Sequence, residues 1–237
     1  MATAAPAFAG FRPESIQFLA ELADHNDRAW FQPRKGDYER LLKEPMEALM
    51  AALAERFEER GIPLRADPKR SMFRIYRDTR FAKDKSPYKT NVGASFPWVD
   101  QKGGADGADD SPHGNGGYFH FQPGSMYLGG GMYMAERPRM EAFRRAVLDD
   151  EDRVREALEE PGFLSVFDPV HSHESLKRMP LGYPPDHPRA DWLRFKDIVF
   201  GRNLADEEVL SPDLPDIVAE GYQAALPVFR FLATLRG

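Results

Sequence analysis

Gly117-Tyr118-Phe119-His120-Phe121-Gln122 and Met126-Tyr127-Leu128-Gly129-Gly130-Gly131-Met132-Tyr133-Met134 decide the fold, with only Pro123-Gly124-Ser125 between them. Their aromatic and glycine content fits paired strands. A connection this short joins antiparallel neighbours, because a parallel pair needs a crossover of a dozen or more residues. Working outward, Phe73 to Arg77, Asn91 to Val99 and Phe195 to Leu204 also read as strands. The stretch 100–116 holds five Gly, four Asp and no large apolar residue, so it is expected to be a long, mobile hairpin loop.

Helical patterns flank this block. Pro13 opens a helix carrying Ile16, Leu19, Leu22 and Ala23. Asp27 is placed to cap a short turn holding Trp30 and Phe31, and Asp37 to cap a longer helix running to a stop at Gly61. Pro45 interrupts that helix and predicts a kink or split. Pro138 opens another helix, Asp149-Asp150-Glu151-Asp152 marks a boundary, and residues 161–191, with six prolines, read as irregular. Ser211-Pro212-Asp213 starts a C-terminal amphipathic stretch from Leu214 to Leu232, with a kink expected at Pro227. Helices at both ends of a strand block predict an α+β fold: one domain over 11–237, with an antiparallel sheet covered by the N- and C-terminal helices. Residues 1–10 read as a disordered tail.

The chain has 237 residues, 42% of them apolar, which is ordinary for a globular protein. It has no cysteine, which excludes disulfides and thiolate chemistry. The N-terminus lacks a charged n-region and no run of 18 apolar residues exists, so a cytoplasmic protein without a membrane span is expected.

Charge is unevenly distributed. Nine of the 32 Lys and Arg residues lie between Arg65 and Lys89, against Asp67, Asp78 and Asp84. That stretch carries six net positive charges, while the whole chain carries −6. A positive island on an acidic protein suits an anionic ligand, a nucleic acid, or internal pairing with carboxylates. Alternation along a strand places Phe73, Ile75 and Arg77 on one face, so Arg77 is expected to follow the apolar face inward and meet a carboxylate or an anion. Arg74, Arg77, Arg80, Lys83, Lys85 and Lys89 are the candidate anion ligands, with Tyr88 and the backbone at Gly130 beside them. The competing reading is a solvated face whose Arg and Asp residues lock a loop.

His120, in a strand, is the candidate general base, with Asp78 as the other proton carrier. A strand histidine satisfied by a backbone carbonyl is the bland alternative. Gly129-Gly130-Gly131 predicts a bulge, or a backbone approached closely by a ligand. His171-x-His173-Glu174 is a weak metal signal in an irregular segment, and no metal site is assigned. His113 falls in the expected mobile loop and carries no role.

The run Arg74-Ile75-Tyr76-Arg77-Asp78-Thr79-Arg80-Phe81-Ala82-Lys83-Asp84-Lys85-Ser86-Pro87-Tyr88-Lys89 resembles the signature of a widespread family known only as a domain of unknown function. That signature is close to Arg-x-x-Arg-Asp-x-Arg-Phe-x-x-Asp-Lys-x-Pro-Tyr-Lys. Trp30-Phe31, Tyr118-Phe119-His120, Gly129-Gly130-Gly131 and Pro180-Leu181-Gly182-Tyr183 with Asp186-His187-Pro188 are similar too, though Leu181 stands where the family has Arg. The resemblance implies a single α+β domain and supplies no catalytic residues. The sequence thus predicts a domain binding a small phosphate or carboxylate anion, enzyme or not, with no cofactor indicated. A single-stranded nucleic-acid binder, with Phe73, Tyr76, Phe81 and Tyr88 as stacking platforms, is the alternative. So is a module docking acidic protein partners.

Overall fold

A computed structural model describes residues 7–99 and 114–235. Residues 1–6 of the expected tail, and 100–113 of the expected mobile loop with His113, lie outside the described residues. Within the rest of the tail, Phe8 packs edge-on against the buried Phe11 at 5.6 Å.

The sheet is a four-stranded antiparallel meander of β1 (Val92–Pro97), β2 (Asn115–Phe121), β3 (Tyr127–Met132) and β4 (Ile198–Asn203), in that order. It is flanked in sequence by helices on both sides, which makes the fold α+β as expected. The register runs unbroken through the glycine triplet, with Gly129, Gly130 and Gly131 facing Tyr118, Gly117 and Gly116 of β2. The expected bulge is therefore absent.

Alternation gives the sheet two unlike faces. Val92, Ala94, Phe96, Phe119, Leu128 and Phe200 are buried on one. Here α10 (Leu214–Ala224) and α11 (Leu226–Thr234) lay their apolar stripes. They are separate helices broken at Ala225, just before Pro227. The Tyr222 hydroxyl reaches the sheet backbone, 3.1 Å from Tyr118 O and 3.2 Å from Gly129 O. A β-carbon at Gly117 would stand 2.5 Å from the Tyr222 ring, and one at Gly130 2.8 Å from that of Phe229. Glycine here serves close packing of helix on sheet.

The N-terminal layer begins with α1 (Pro13–Asp24). Asp27 caps α2 (Arg28–Phe31) by accepting from Trp30 N at 2.9 Å, as the sequence predicts. The chain then winds with little interruption through a 3₁₀ turn, α3 (Lys35–Tyr38), a π turn (Glu39–Lys43) and α4 (Glu44–Glu59). Asp37 lies inside α3 and pairs with Arg40 at 2.9 Å, so it is no cap. Pro45 is absorbed without a split. It offers no N–H to the carbonyl of Leu41, four residues back, and the buried Ser15 hydroxyl donates to that carbonyl at 2.7 Å. The wider π turn takes up the remaining misfit. Asp216 of α10 receives Arg56 Nε at 2.9 Å and Arg60 at 2.8 Å, tying α4 to the C-terminal layer and holding its carboxyl below the usual range.

The third layer follows β3. It comprises α5 (Arg137–Asp149), α6 (Glu151–Leu158, capped by Asp150), α7 (Pro161–Leu164), α8 (Ala190–Leu193) and α9 (Asp206–Leu210). Arg144 is buried yet donates to Leu193 O and Phe195 O at 2.8 Å each, so the carbonyls ending α8 offset the desolvation of its charge. Among the described residues no helix is long and apolar enough to cross a membrane.

Candidate functional site

The second face of the sheet is built from different residues. Gly93, Gly116, Gly129, Gly131 and Gly201 floor it, and Tyr118, His120 and Tyr127 stand half-buried among them. The Tyr127 ring lies across Gly129 and Gly201, where any β-carbon would overlap it. The small floor thus lets large rings of the same face pack closely on the sheet backbone.

The basic segment borders this face at β1. It does not form the strand expected over 73–77. Only isolated bridges occur, Met72 with Ala94 and Tyr76 with Tyr88. After Phe73 N bonds Gly93 O at 2.9 Å, the chain leaves β1 and folds back on itself. Arg77 N then bonds Pro87 O at 3.0 Å and Lys89 N bonds Ile75 O at 2.8 Å. Residues 78–86 form the tip of this irregular hairpin.

Most of its charges are spent internally. Arg77 pairs with Asp84 and reaches Ser86 O at 3.3 Å. It meets the expected carboxylate, but not in the core: its side chain is 28% exposed and that of Asp84 61%. The inward placement is corrected, because the hairpin turns outward after Ile75, the one buried residue of 73–77. Arg80 grips Asp78 through Nε at 3.0 Å and a second nitrogen at 2.7 Å. Lys85 Nζ donates to Thr79 O at 2.9 Å. The Ser86 hydroxyl and amide, with Arg77, hold the Asp84 carboxyl well below the usual carboxylate range, and Arg80 lowers Asp78 in the same way. Asp78 is thus a fixed anion holding Arg80, poorly suited to carry a proton near neutral pH.

Two other candidates are packed into the core. Tyr88 is core, its ring stacked on Phe31 at 4.1 Å and its backbone held at both N and O by Asn26 at 3.0 Å. Gly130 faces the helices, with Phe229 and Phe200 filling the space beside it.

Arg74, Lys83 and Lys89 form no salt bridge among the described residues, although the charge of Arg74 helps to lower the Asp78 pKa. Arg74 and Lys83 are exposed, whereas Lys89 is half-buried, its Nζ 5.2 Å from the centre of the Phe73 ring. Partial burial, and then the neighbouring Arg74, lower the Lys89 pKa. Phe73 in turn packs on Tyr118 at 6.3 Å. The Tyr118 hydroxyl stands 2.7 Å from His120 Nδ1, and His120 Nε2 stands 3.3 Å from Gln122 Oε1. Burial lowers the His120 pKa against the opposing pull of Gln122, and raises that of Tyr118. The neutral tautomer that fits has Tyr118 donating to Nδ1 and Nε2–H donating to Gln122. His120 is therefore satisfied by side chains, not by the backbone carbonyl considered above. Tyr118, absent from the sequence-based candidates, is its partner. Its signal was present: Tyr118 and His120 are two apart in a strand and so share a face.

The other border lies at β4. Residues around His171 pair with that strand, His171 and Val199 exchanging both backbone bonds at 2.8 and 3.0 Å. Asp197, 5% exposed, accepts from His173 N at 2.9 Å and stands 2.6 Å from the Ser172 hydroxyl and 3.0 Å from His173 Nδ1. Tyr133, past the end of β3, sets its ring edge-on to His173 at 5.2 Å. Among the described residues no group of three or more His, Cys, Asp or Glu side chains is arranged to hold a metal ion.

A sequence model of the family described as conserved hypothetical protein (DUF2461) matches residues 14–231. No curated protein and no solved structure matches the chain.

Proposed function

The chain belongs to this family of conserved hypothetical proteins (DUF2461), a membership that assigns no activity, and we propose that it binds a small phosphate- or carboxylate-bearing molecule at the β1 border of the glycine-floored face. One observation carries the reading. Arg74 and Lys89 are adjacent like charges that form no salt bridge among the described residues, Asp78 acting on Arg74 only at longer range, while Arg77, Arg80 and Lys85 each have a bonded partner. Holding two cations together costs free energy, and an anion between them relieves that cost. Lys89 supplies a half-desolvated ammonium and Arg74 a planar fork suited to two oxygens. Phe73 offers an apolar wall, and the Tyr118 hydroxyl a polar group backed by His120. If the bound molecule reacts, the neutral His120 accepts a proton passed through Tyr118, and Lys89 stabilises developing negative charge. A cytoplasmic setting belongs to the same reading.

A second reading is favoured by three aromatic side chains in the basic segment: Phe81 is 94% exposed, and Phe73 and Tyr76 are about half-exposed. Such rings stack single-stranded bases. Tyr88, counted among them from the sequence, is buried and drops out.

Thermal shift separates the two. Inorganic phosphate or a simple dicarboxylate is expected to raise the melting temperature, by the equivalent of about 2.7 kcal/mol at a hundredfold excess over Kd. Lys89→Ala and Arg74→Ala abolish the response, and Arg80→Ala keeps it. No response to either anion removes the proposal. Tight oligonucleotide binding that survives physiological salt puts the nucleic-acid reading first.

A further inference from the structure

The geometry points to a second ligand site at the opposite border of the sheet: His171 and His173 chelate one imidazole-preferring divalent transition metal ion, Cu(II) or Zn(II), through their Nε2 atoms. This inference is independent of the anion reading. It rests on which ring nitrogen carries the proton. His171 Nδ1 stands 3.3 Å from Pro169 O, and His173 Nδ1 3.0 Å from the carboxylate of Asp197. A carbonyl or carboxylate oxygen only accepts, so each Nδ1 holds the hydrogen. In both neutral rings the lone pair is then at Nε2. This is how metal-binding histidines are oriented, with the other nitrogen donating to a carboxylate or backbone oxygen.

Placement agrees. His171 is pinned to Val199 and His173, two residues on, to Asp197, and this places the two rings side by side. The ring centres are 5.8 Å apart. Two imidazoles bound to one ion at about 2.0–2.1 Å cannot have centres more than about 6.4 Å apart, and a tetrahedral angle brings them to about 5 Å. The observed separation lies within that limit. Asp197 is a positioning residue: its buried carboxylate orients His173 and adds negative charge beside the cation. The one nearby lysine bonded on this segment, Lys196, is already paired with Glu174 at 2.8 Å. With two protein ligands, the remaining coordination positions take water or a small anion. Imidazole donors favour Cu(II) over Zn(II).

The test is titration of the metal-free full chain with Cu(II), followed by visible absorption and electron paramagnetic resonance. One copper per chain is expected, with hyperfine structure from two imidazole nitrogens, displaced by excess Zn(II). His171→Ala and His173→Ala each leave at most one nitrogen and weaken binding at least tenfold. Asp197→Asn keeps the two-nitrogen pattern and weakens binding about 10- to 100-fold. His25→Ala and His187→Ala change nothing. His171 is exposed and bonded only to a backbone oxygen, so His171→Ala is expected to keep the wild-type melting temperature, whereas His173→Ala also takes a hydrogen bond from the buried Asp197. A signal with fewer than two imidazoles, or one unchanged by His173→Ala, overturns the inference. In that case His173 serves only as a partner for Asp197.

Discussion

A methyl group on Gly117 would stand 2.5 Å from the ring of Tyr222, which is fully buried and anchored by its hydroxyl to the sheet backbone. Neither side has room to give. Gly117→Ala is expected to lower the unfolding free energy by about 1–3 kcal/mol, the usual cost of overpacking. Gly93→Ala, whose β-carbon meets Phe119 O at 3.1 Å and otherwise only side chains at 3.5 Å, should lose less. Chemical denaturation of both variants checks the order, and equal losses would mean that Tyr222 shifts freely. Single residues were unevenly legible in the sequence. Alternation correctly places Ile75 inward, but it extends to Arg77 only if the strand continues, and the strand ends because residues 75–77 pair with 87–89 instead of with β1. The glycine triplet signalled close approach correctly. It could not show that Gly130 meets Phe229, about a hundred positions away, whereas Tyr127 over Gly129 is an i, i+2 pair on one strand face.

The hairpin tip 78–86 behaves as an element held by charge. Asp84 accepts from Ser86 N at 2.9 Å, and Asp78 from Arg80 N at 3.1 Å. Both carboxyl groups are depressed below their ordinary values, so each favours the folded tip while ionised. The sign follows. Their contribution is fully present above the ordinary carboxylate pKa of about 4, and is lost as pH falls through the depressed values. The Ser86 and Arg80 amide resonances are expected to hold steady from pH 7 to about 4 and to move only in stronger acid. Asp84→Asn should remove the Ser86 transition and leave that of Arg80. An amide titrating at an ordinary carboxylate value would show that the tip is not held this way. The loop-locking reading of the basic segment therefore accounts for Arg77, Arg80 and Lys85, and leaves Arg74, Lys83 and Lys89 outside any salt bridge among the described residues. Sequence counting could not make that division, because it depends on which carboxylate each charge reaches. The helical elements were more legible, since caps and stops are local. Ser15 rescuing the Leu41 carbonyl spans 26 positions and left no local trace.

At the scale of the whole molecule, the buried residues form one contiguous cluster from Phe11 to Leu235. It includes both terminal helical layers and the inner face of the sheet. The pattern of helices, strands and helices showed the class of fold, because hydrophobic period depends only on neighbours. Which sheet face stays polar was harder to read, since glycine is compatible with either. If the cluster is one cooperative unit, the 11–237 domain unfolds in a single step. Calorimetry is then expected to show one transition, with an enthalpy on the order of 150 kcal/mol near 60 °C that equals its van't Hoff value. Asp216→Ala removes the Asp216 contacts with Arg56 and Arg60 and leaves Arg60 with Glu220 of α10 at 3.6 Å. It should lower the melting temperature without splitting the transition, because the apolar contacts joining these layers, such as Phe57 on Tyr222 at 5.9 Å, remain. Two resolved transitions in the wild type, or a split in the Asp216→Ala variant, would mean that the N- and C-terminal layers are separate folding units meeting at the sheet. The glycine-floored face would then lie across a boundary between those units, and ligand binding there would stabilise the two transitions unequally.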